Sequence, residues 1–157
     1  MIQFLGQGFA GCEAGYDNAR LVIFGAPFDG TTSYKPGTRF GPRAIRQISY
    51  NFEPYIPEYD LDLSTLPVHD MGDLDCGVVP DEVVSLVAEI AGKISSEGKI
   101  PIMLGGEHTV SIGAARGVKP EVAVICDAHL DLREEFRGSV YNHGCAARRI
   151  YEDGVRD

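Results

Sequence analysis

Short apolar runs that end in glycine, proline or polar residues alternate with helical stretches along this chain. Residues 21–24 (LVIF) lead into Gly-Ala-Pro, and residues 100–104 (IPIML) lead into Gly-Gly. An apolar run bounded by turn residues is typical of a buried strand. Buried strands that alternate with helices indicate a mainly parallel sheet with helices packed against it. The sequence therefore predicts an α/β fold.

The intervening segments carry helix signals. Gly41-Pro42 opens a predicted helix over residues 43–50, because proline suits the first helical turn. Residues 83–94 place their apolar side chains on one helical face after Pro80-Asp81-Glu82. The remaining predicted elements are strands at 67–70 and 122–126 and helices at 109–116 and 148–152.

Length and composition fit a single globular domain over residues 1–157. The chain is 44% hydrophobic, which is enough for a core, and it has no apolar stretch of the length that a membrane span needs. Its formal net charge is −9, which disfavours nucleic acid as a partner and favours cations, either metal ions or amines. The acidic excess can also serve solubility alone.

The N-terminus and the cysteines indicate the cellular compartment in which the protein is expected. No Lys or Arg precedes the apolar start of the chain, so a signal peptide is not expected. The four cysteines form no C-x-x-C pair, which indicates reduced thiols rather than a zinc knuckle or a disulfide framework. We therefore expect a cytoplasmic protein.

Asp127-Ala128-His129-Leu130-Asp131 carries the sharpest chemical pattern in the sequence, directly after the predicted strand at 122–126. In an extended chain Asp127, His129 and Asp131 point to the same side. Carboxylates combined with imidazole suit Mn²⁺, Zn²⁺ or Fe²⁺. The alternative interpretation is a solvated turn made of polar residues.

Two other polar clusters also follow predicted strands, at residues 29–34 and at Gly105-Gly106-Glu107-His108. Parallel sheets bind ligands at the carboxyl ends of their strands, so His108 would enter the same crevice as the aspartates. The glycines allow the backbone to approach a ligand closely. A purely structural role for His108 remains the alternative, and Glu107 is either a partner of the site or an acid at a helix start.

His143, within Asn142-His143-Gly144, is suited to carrying a proton near neutral pH, or it is simply a turn residue. Cys145 lies close to it, which keeps a cysteine hydrolase as an alternative, although no neighbour in the sequence indicates a lowered thiol pKa. We interpret His69 as structural.

Four segments together resemble the arginase/agmatinase family, the ureohydrolases, and among them bacterial and archaeal agmatinases most. They are SYKPGTRFGPRAIR at residues 33–46, GGEHT at 105–109, DAHLD at 127–131 and NHG at 142–144. The resemblance implies a three-layer α/β/α sandwich on a mainly parallel sheet. It also implies hydrolysis of a guanidino group with release of urea, using two Mn²⁺ ions that lower the pKa of bound water.

The resemblance assigns roles to individual residues. His108 and Asp131 would bind one Mn²⁺, His129 the other, and Asp127 would bridge the two. Asp131 would also orient the attacking hydroxide, and His143 would shuttle the proton. The loop at residues 132–141 would shape the substrate pocket. Agmatine, a dication, would be converted to putrescine and urea in polyamine biosynthesis, by a homo-oligomer that is a trimer or a hexamer.

One departure from the family pattern stands out. Ureohydrolases continue to a second aspartate motif of the type S-x-D-x-D-x-x-D-P and to a later acid that contacts the guanidinium, and residues 1–157 contain neither. The chain therefore corresponds to the N-terminal part of an arginase-like domain, with an incomplete sandwich. The alternatives are a non-catalytic metal-binding half-domain, another metal hydrolase such as a zinc amidase, or an amidinohydrolase that acts on guanidinobutyrate, formiminoglutamate or arginine.

Overall fold

A computed structural model describes residues 4–5 and 8–154. For residues 4–5 only the backbone is described. Six strands are present in this part of the chain: β1 (Phe4–Leu5), β2 (Leu21–Ala26), β3 (Tyr55–Ile56), β4 (Leu61–Asp62), β5 (Val68–Leu74) and β6 (Ile100–Gly105). The main sheet has the order β1-β5-β2-β6, in which β2 runs parallel to both neighbours and β1 is antiparallel to β5. β3 and β4 form a separate antiparallel ribbon.

The helices are α1 (Gly41–Ser49), α2 (Pro80–Ser96), α3 (Thr109–Val118) and α4 (Ala146–Glu152). α2 begins with proline and carries Asp81 and Glu82 in its first turn, where negative charge favours the helix dipole. Gly98, with a φ of +73°, follows its last turn in a conformation that suits glycine. Within residues 4–5 and 8–154, no helix has both the length and the apolar character needed to cross a bilayer.

The main core lies between β2 and α2. Val22, Phe24 and Ala26 alternate along β2 onto one face and are fully buried against the apolar side of α2. Gly25 points to the opposite face, where an added Cβ would lie 1.9 Å from Asp73 and 3.1 Å from Arg46 of α1. Helices therefore cover both faces of the sheet, and the predicted layered α/β fold with a mainly parallel sheet is confirmed.

A buried ion pair joins α1 to β5. Arg46 is 3% exposed, and its guanidinium donates from Nε and Nη2 to the two carboxylate oxygens of Asp70 at 2.7 and 2.9 Å. Asp73 contacts the same guanidinium. Burial alone would raise the pKa of Asp70, but hydrogen bonds from Arg46 and from backbone amides hold that pKa below its usual value.

The predicted strands at 21–24, 67–70 and 100–104 and all four predicted helices are confirmed, with ends that differ by a few residues. The predicted strand at 122–126 is wrong, because this segment joins none of the six strands. Its apolar side chains are exposed, with Val124 at 87%. An apolar run becomes a strand only beside a strand that can pair with its backbone amides and carbonyls, and the pattern of side chains does not supply one.

Candidate active site

Loops that follow β2 and β6 meet directly at the carboxyl end of the sheet. Gly106 donates its amide to Ala26 at 3.0 Å, and Glu107 donates its amide to Phe28 at 2.8 Å. A Cβ on Gly106 would lie 2.0 Å from the carbonyl oxygen of Phe28. The glycine therefore allows a close approach of two backbones, and its predicted approach to a ligand stays a prediction. This contact brings Glu107 and His108 beside the loop that follows β2.

Three of the predicted metal ligands converge at this edge of the sheet. Nδ1 of His108 lies 2.7 Å from Oδ2 of Asp131 and 3.5 Å from Oδ2 of Asp127. One ligand atom from each of these residues lies within 4.8 Å of the others. One imidazole nitrogen with two carboxylate oxygens is a donor set that fits Mn²⁺, and it leaves coordination positions for water.

His129 stands at the rim of this cluster rather than within it. Its side chain is 83% exposed, and its Nδ1 lies 3.5 Å from Oδ1 of Asp127. The two oxygens of the Asp127 carboxylate therefore face two different histidines, His108 on one side and His129 on the other. The backbone amide of His129 also donates to Asp127 at 2.9 Å, and this hydrogen bond holds the pKa of the Asp127 carboxyl below its usual value.

The predicted extended geometry of residues 127–131 is wrong. The chain bends at Ala128 and His129, and Asp131 adopts a left-handed conformation with a φ of +46°. The carbonyl of Asp131 accepts the amide of Arg148 at 3.2 Å. Asp127 and Asp131 thus reach His108 by a bent path held against the N-terminal part of α4, whereas strand alternation would have turned His129 inward as well.

His143 lies on the other side of the same cleft, in a single turn of 3-10 helix over His143–Cys145. Its Nδ1 lies 3.1 Å from the hydroxyl oxygen of Thr31, and its Nε2 lies 3.0 Å from the hydroxyl of Ser33. The imidazole and the Phe136 ring also pack in a T-shaped arrangement, with ring centroids 5.8 Å apart. The imidazole is therefore oriented by three neighbours.

Glu107 is buried behind His143. Its side chain is 5% exposed, and both of its carboxylate oxygens lie within hydrogen-bond distance of the Thr31 hydroxyl, at 2.7 and 2.9 Å. Of the two interpretations of Glu107 from the sequence, the geometry favours a partner of the site. Thr31 and Ser33 were not singled out from the sequence, although the polar cluster at residues 29–34 was the signal that could have found them.

Asp29 anchors the loop that carries Thr31 and Ser33. Its buried carboxylate accepts the backbone amides of Gly37 and Arg39 at 2.6 and 3.2 Å and forms an ion pair with the Arg39 guanidinium. The hydrogen bond from Arg39 lowers the pKa of Asp29. These contacts join the two ends of the loop at residues 29–39 and so fix its shape.

The loop at residues 132–141 forms the opposite wall. Arg137 donates to the carbonyls of Thr32 and Ser33 at 3.3 and 3.2 Å, which ties this loop to the one after β2. The guanidinium of Arg133 lies 4.5 Å from the Phe136 ring centroid, in cation–π geometry. Together the two loops enclose an open cleft of about 670 Å³, whose lining includes Ser33, Asp131, Leu132, Arg133, Phe136 and His143.

His69 and the cysteines take no part in the proposed chemistry of the cleft. His69 lies with Nδ1 2.8 Å from the Ala14 carbonyl, an arrangement that suits the structural role expected of it. All four cysteines lie in the described part of the chain as free thiols. Cys145 is fully buried, and this burial raises the pKa of its thiol, which makes it a poor nucleophile.

Comparisons with known proteins agree with this architecture. The sequence profile of the arginase family matches residues 19–157. An N(1)-aminopropylagmatine ureohydrolase of Thermococcus kodakarensis is 47% identical in an alignment of 146 positions that covers 90% of this chain and 50% of that protein. An agmatinase of Pyrococcus horikoshii is 45% identical in an alignment of 141 positions that covers 88% of this chain and 50% of that protein.

Solved structures are similar as well. The agmatine ureohydrolase of Thermoplasma volcanium superposes with a TM-score of 0.89 and 39% identity, over 95% of this chain and 51% of that one. A formiminoglutamase of Trypanosoma cruzi, solved with Mn²⁺, superposes with a TM-score of 0.78 and 27% identity, over 90% of this chain and 50% of that one. The chain spans about half the length of the curated relatives it matches. The family profile, the high identities and the fold together establish that this chain belongs to the arginase family.

Proposed function

We propose that the whole protein hydrolyses the guanidino group of agmatine, giving putrescine and urea, at a site that holds two Mn²⁺ ions. The observation that carries this proposal is the Asp127 carboxylate, whose two oxygens face His108 and His129 separately. A carboxylate placed between two imidazoles suits a bridge between two cations. The agmatinases among the relatives support the same chemistry.

Four residues of this chain would bind the two ions. His108 and Asp131 would hold one, His129 would hold the other, and Asp127 would belong to both. Mn²⁺ supplies an activated water at neutral pH and offsets the charge that develops during hydrolysis. The manganese in the related formiminoglutamase supports the choice of metal. We further propose that Asp131 orients the attacking water from its position at the base of the cleft.

His143 is the proposed proton carrier. It lines the cleft without joining the group of His108, Asp127 and Asp131, and its Nε2 lies beside Ser33, another cleft residue. A group in this position can deliver a proton to a departing amine without giving up a metal ligand. An imidazole can both accept and donate a proton, which this role requires.

A second substrate candidate is N(1)-aminopropylagmatine, a longer polyamine with the same guanidino group. The relative from Thermococcus kodakarensis carries that name at 47% identity, slightly above the agmatinase from Pyrococcus horikoshii. The open cleft of about 670 Å³ has room for either compound. Both substrates are cationic, in keeping with the net charge of −9.

The same proposal extends to the pathway, the location, the assembly and the partners of the protein. A ureohydrolase of this kind would act in polyamine biosynthesis in the cytoplasm, as a homo-oligomer, on a small-molecule guanidino substrate. We propose neither nucleic acid nor a membrane as its partner. The acidic chain supports this choice of partners, because a phosphate backbone needs a basic face.

The experiment that tests the proposal measures urea release by the whole protein, loaded with Mn²⁺, on a panel of guanidino compounds. The panel contains agmatine, N(1)-aminopropylagmatine, guanidinobutyrate and arginine. We expect the highest kcat/KM with agmatine. A higher value with N(1)-aminopropylagmatine would favour the second candidate, and a clear preference for arginine would contradict both.

A further inference from the structure

We propose that Thr31 and Glu107 are positioning residues that fix the tautomer of His143, with the hydrogen on Nδ1 and a free lone pair on Nε2. The inference rests on the proposed function, in which His143 carries a proton. It adds that Nε2 is the nitrogen that takes up and releases the carried proton, and it names the side chains that keep the other hydrogen on Nδ1.

Thr31 has a single hydroxyl hydrogen that it can donate. The Oγ1 atom of Thr31 lies 2.7 Å from Oε1 and 2.9 Å from Oε2 of Glu107. A carboxylate accepts hydrogen bonds and donates none. Glu107 is buried, and its other donor among the described residues is the backbone amide of Thr31 at a longer 3.4 Å, so losing the Thr31 hydroxyl would remove its best hydrogen bond, which is costly for a buried carboxylate. The hydrogen of Thr31 is therefore committed to Glu107.

With its hydrogen committed, Thr31 can only accept from His143. The backbone amide of His143 donates to Thr31 Oγ1 at 3.1 Å, and Nδ1 of the same residue lies 3.1 Å from the same oxygen. An Nδ1 that faces an acceptor must carry the hydrogen. Thr109 Oγ1, at 3.3 Å, is the most distant neighbour of Thr31 Oγ1, and it cannot receive a hydrogen that Thr31 gives to Glu107.

A neutral imidazole has one N–H, so a hydrogen on Nδ1 leaves Nε2 with a free lone pair. The hydroxyl of Ser33 lies 3.0 Å from Nε2 and can donate to it. Ser33 and His143 both line the cleft, so the basic nitrogen is on the substrate side. The other tautomer would place a hydrogen on Nε2 and leave Nδ1 facing an oxygen with no hydrogen to give.

The two contacts to Thr31 also restrict the position of the ring. The backbone amide and Nδ1 of His143 share one acceptor oxygen, and the Phe136 ring packs against the imidazole in a T-shaped arrangement. A partner on the far nitrogen is the usual means by which proteins set the tautomer and orientation of a working histidine. Thr31 therefore sets the tautomer and the orientation of His143, which a residue that contributes only to folding would not do.

The experiment is ¹⁵N NMR of the whole protein, metal-free and labelled at histidine, with the His143 signals assigned by their loss in His143→Gln. We expect the Nδ1 resonance of a protonated nitrogen and the Nε2 resonance of an unprotonated one. In Thr31→Val, which keeps the shape and removes the hydroxyl, we expect both tautomers to be populated. Thr31→Ser should restore the original spectrum, because it restores the hydroxyl.

The matched control is Thr32→Val, which removes the neighbouring hydroxyl. Thr32 Oγ1 donates to the Asp29 carbonyl and does not contact His143, so this variant should leave the His143 tautomer unchanged. Glu107→Gln should shift His143 toward the tautomer with its hydrogen on Nε2, because an amide can donate to Thr31 and release its hydroxyl hydrogen. An unchanged tautomer in Glu107→Gln would overturn the part assigned to Glu107.

Turnover supplies the second readout. In the Mn²⁺-loaded protein with agmatine, Thr31→Val should lower kcat about 10-fold to 100-fold, less than the effect of about 10²–10⁴-fold that removing a general acid or base itself has, and change KM little. An Nε2–H tautomer in the unchanged protein, or a Thr31→Val variant with the original tautomer and kcat, would overturn the inference. Absence of urea release from every guanidino compound would instead refute the proposed function and leave the NMR result intact.

Discussion

Nδ1 of His108 lies 2.7 Å from a carboxylate oxygen of Asp131, although 23 residues separate the two in the sequence. His108 comes from the loop after β6, and Asp131 comes from a bend anchored to the first turn of α4. The two loops therefore bring an imidazole nitrogen and a carboxylate oxygen together, and both atoms would serve as ligands of a divalent ion.

The bridging role of Asp127 predicts the effect of Asp127→Asn in the whole protein. An amide has one oxygen and no charge, so it cannot serve two cations as the carboxylate does. We expect the manganese content to fall below two ions per chain and kcat on agmatine to fall at least about 100-fold, more than the loss of an outer hydrogen-bond partner costs. Metal analysis of the dialysed protein, together with a urea assay, measures both.

The control for this experiment is Asp17→Asn, an exposed aspartate just before β2, at the opposite end of the sheet from the cleft. This variant should keep both the manganese and the activity. If Asp127→Asn retained two ions and full turnover, Asp127 would not be a bridge.

His143→Gln separates a proton carrier from a metal ligand. Because His143 lies outside the group of His108, Asp127 and Asp131, we expect its replacement to leave the manganese content unchanged. Turnover should fall about 10²–10⁴-fold, the usual contribution of a general acid or base. Parallel losses of manganese and activity would identify His143 as a ligand or as a structural residue.

The buried pair of Arg46 and Asp70 predicts a large effect on stability. Asp70→Asn leaves the guanidinium of Arg46 buried with less compensation, since only Asp73 still carries a charge beside it. We expect the free energy of unfolding at pH 7 to fall by about 3–5 kcal/mol. Arg148→Gln, which breaks only the exposed pair of Arg148 with Glu152, is the matched control and should change it by about 0.5 kcal/mol or less. Denaturant titration of both variants makes the comparison.

The same pair predicts a pH dependence. The pKa of Asp70 is lower in the folded protein than in the unfolded chain, so its stabilising effect is fully present above the unfolded pKa of about 3.9. This effect is lost as the pH falls through the folded pKa. The difference in unfolding free energy between the original protein and Asp70→Asn should therefore shrink below about pH 4. A difference that stays constant between pH 7 and pH 3 would contradict this account.

The isolated chain of residues 1–157 should not hold a complete binuclear site. By resemblance, the aspartates of the second family motif would supply ligands that this segment lacks. His129 and the shared Asp127 are too few to hold a second hard cation against hydration and against repulsion from the first. We expect fewer than two tightly bound manganese ions per chain and urea release near background. Two ions with substantial turnover would show that other carboxylates complete the site.

The sequence predicted most elements of the fold because their signals are local. Pro80, the acids after it and the apolar face of α2 lie within one segment, and the apolar run of β2 ends at its own glycine. The segment at 122–126 carries an equally good apolar pattern and is not a strand, because pairing depends on a neighbouring strand that the pattern does not describe. The ion pair of Arg46 and Asp70 is invisible in the sequence for a related reason, since 24 residues separate its members.

The sequence pattern likewise identified some residues of the candidate site but not the contacts that arrange them. The pattern D-x-H-x-D pointed to Asp127, His129 and Asp131, but the bend at residues 128–129 and the left-handed Asp131 depend on contacts with α4. The partnership of Thr31 with His143 spans 112 residues, and that of Thr31 with Glu107 depends on Gly106, which lets the loops after β2 and β6 touch. No periodicity within either loop encodes that contact.

The most direct test of the central claim is a titration of Mn²⁺ into the metal-stripped whole protein, with urea release from agmatine as the readout. The account predicts no urea without metal and a rate that rises until two ions are bound per chain. Urea release that survives complete removal of metal, or no release once two ions are bound, would contradict it.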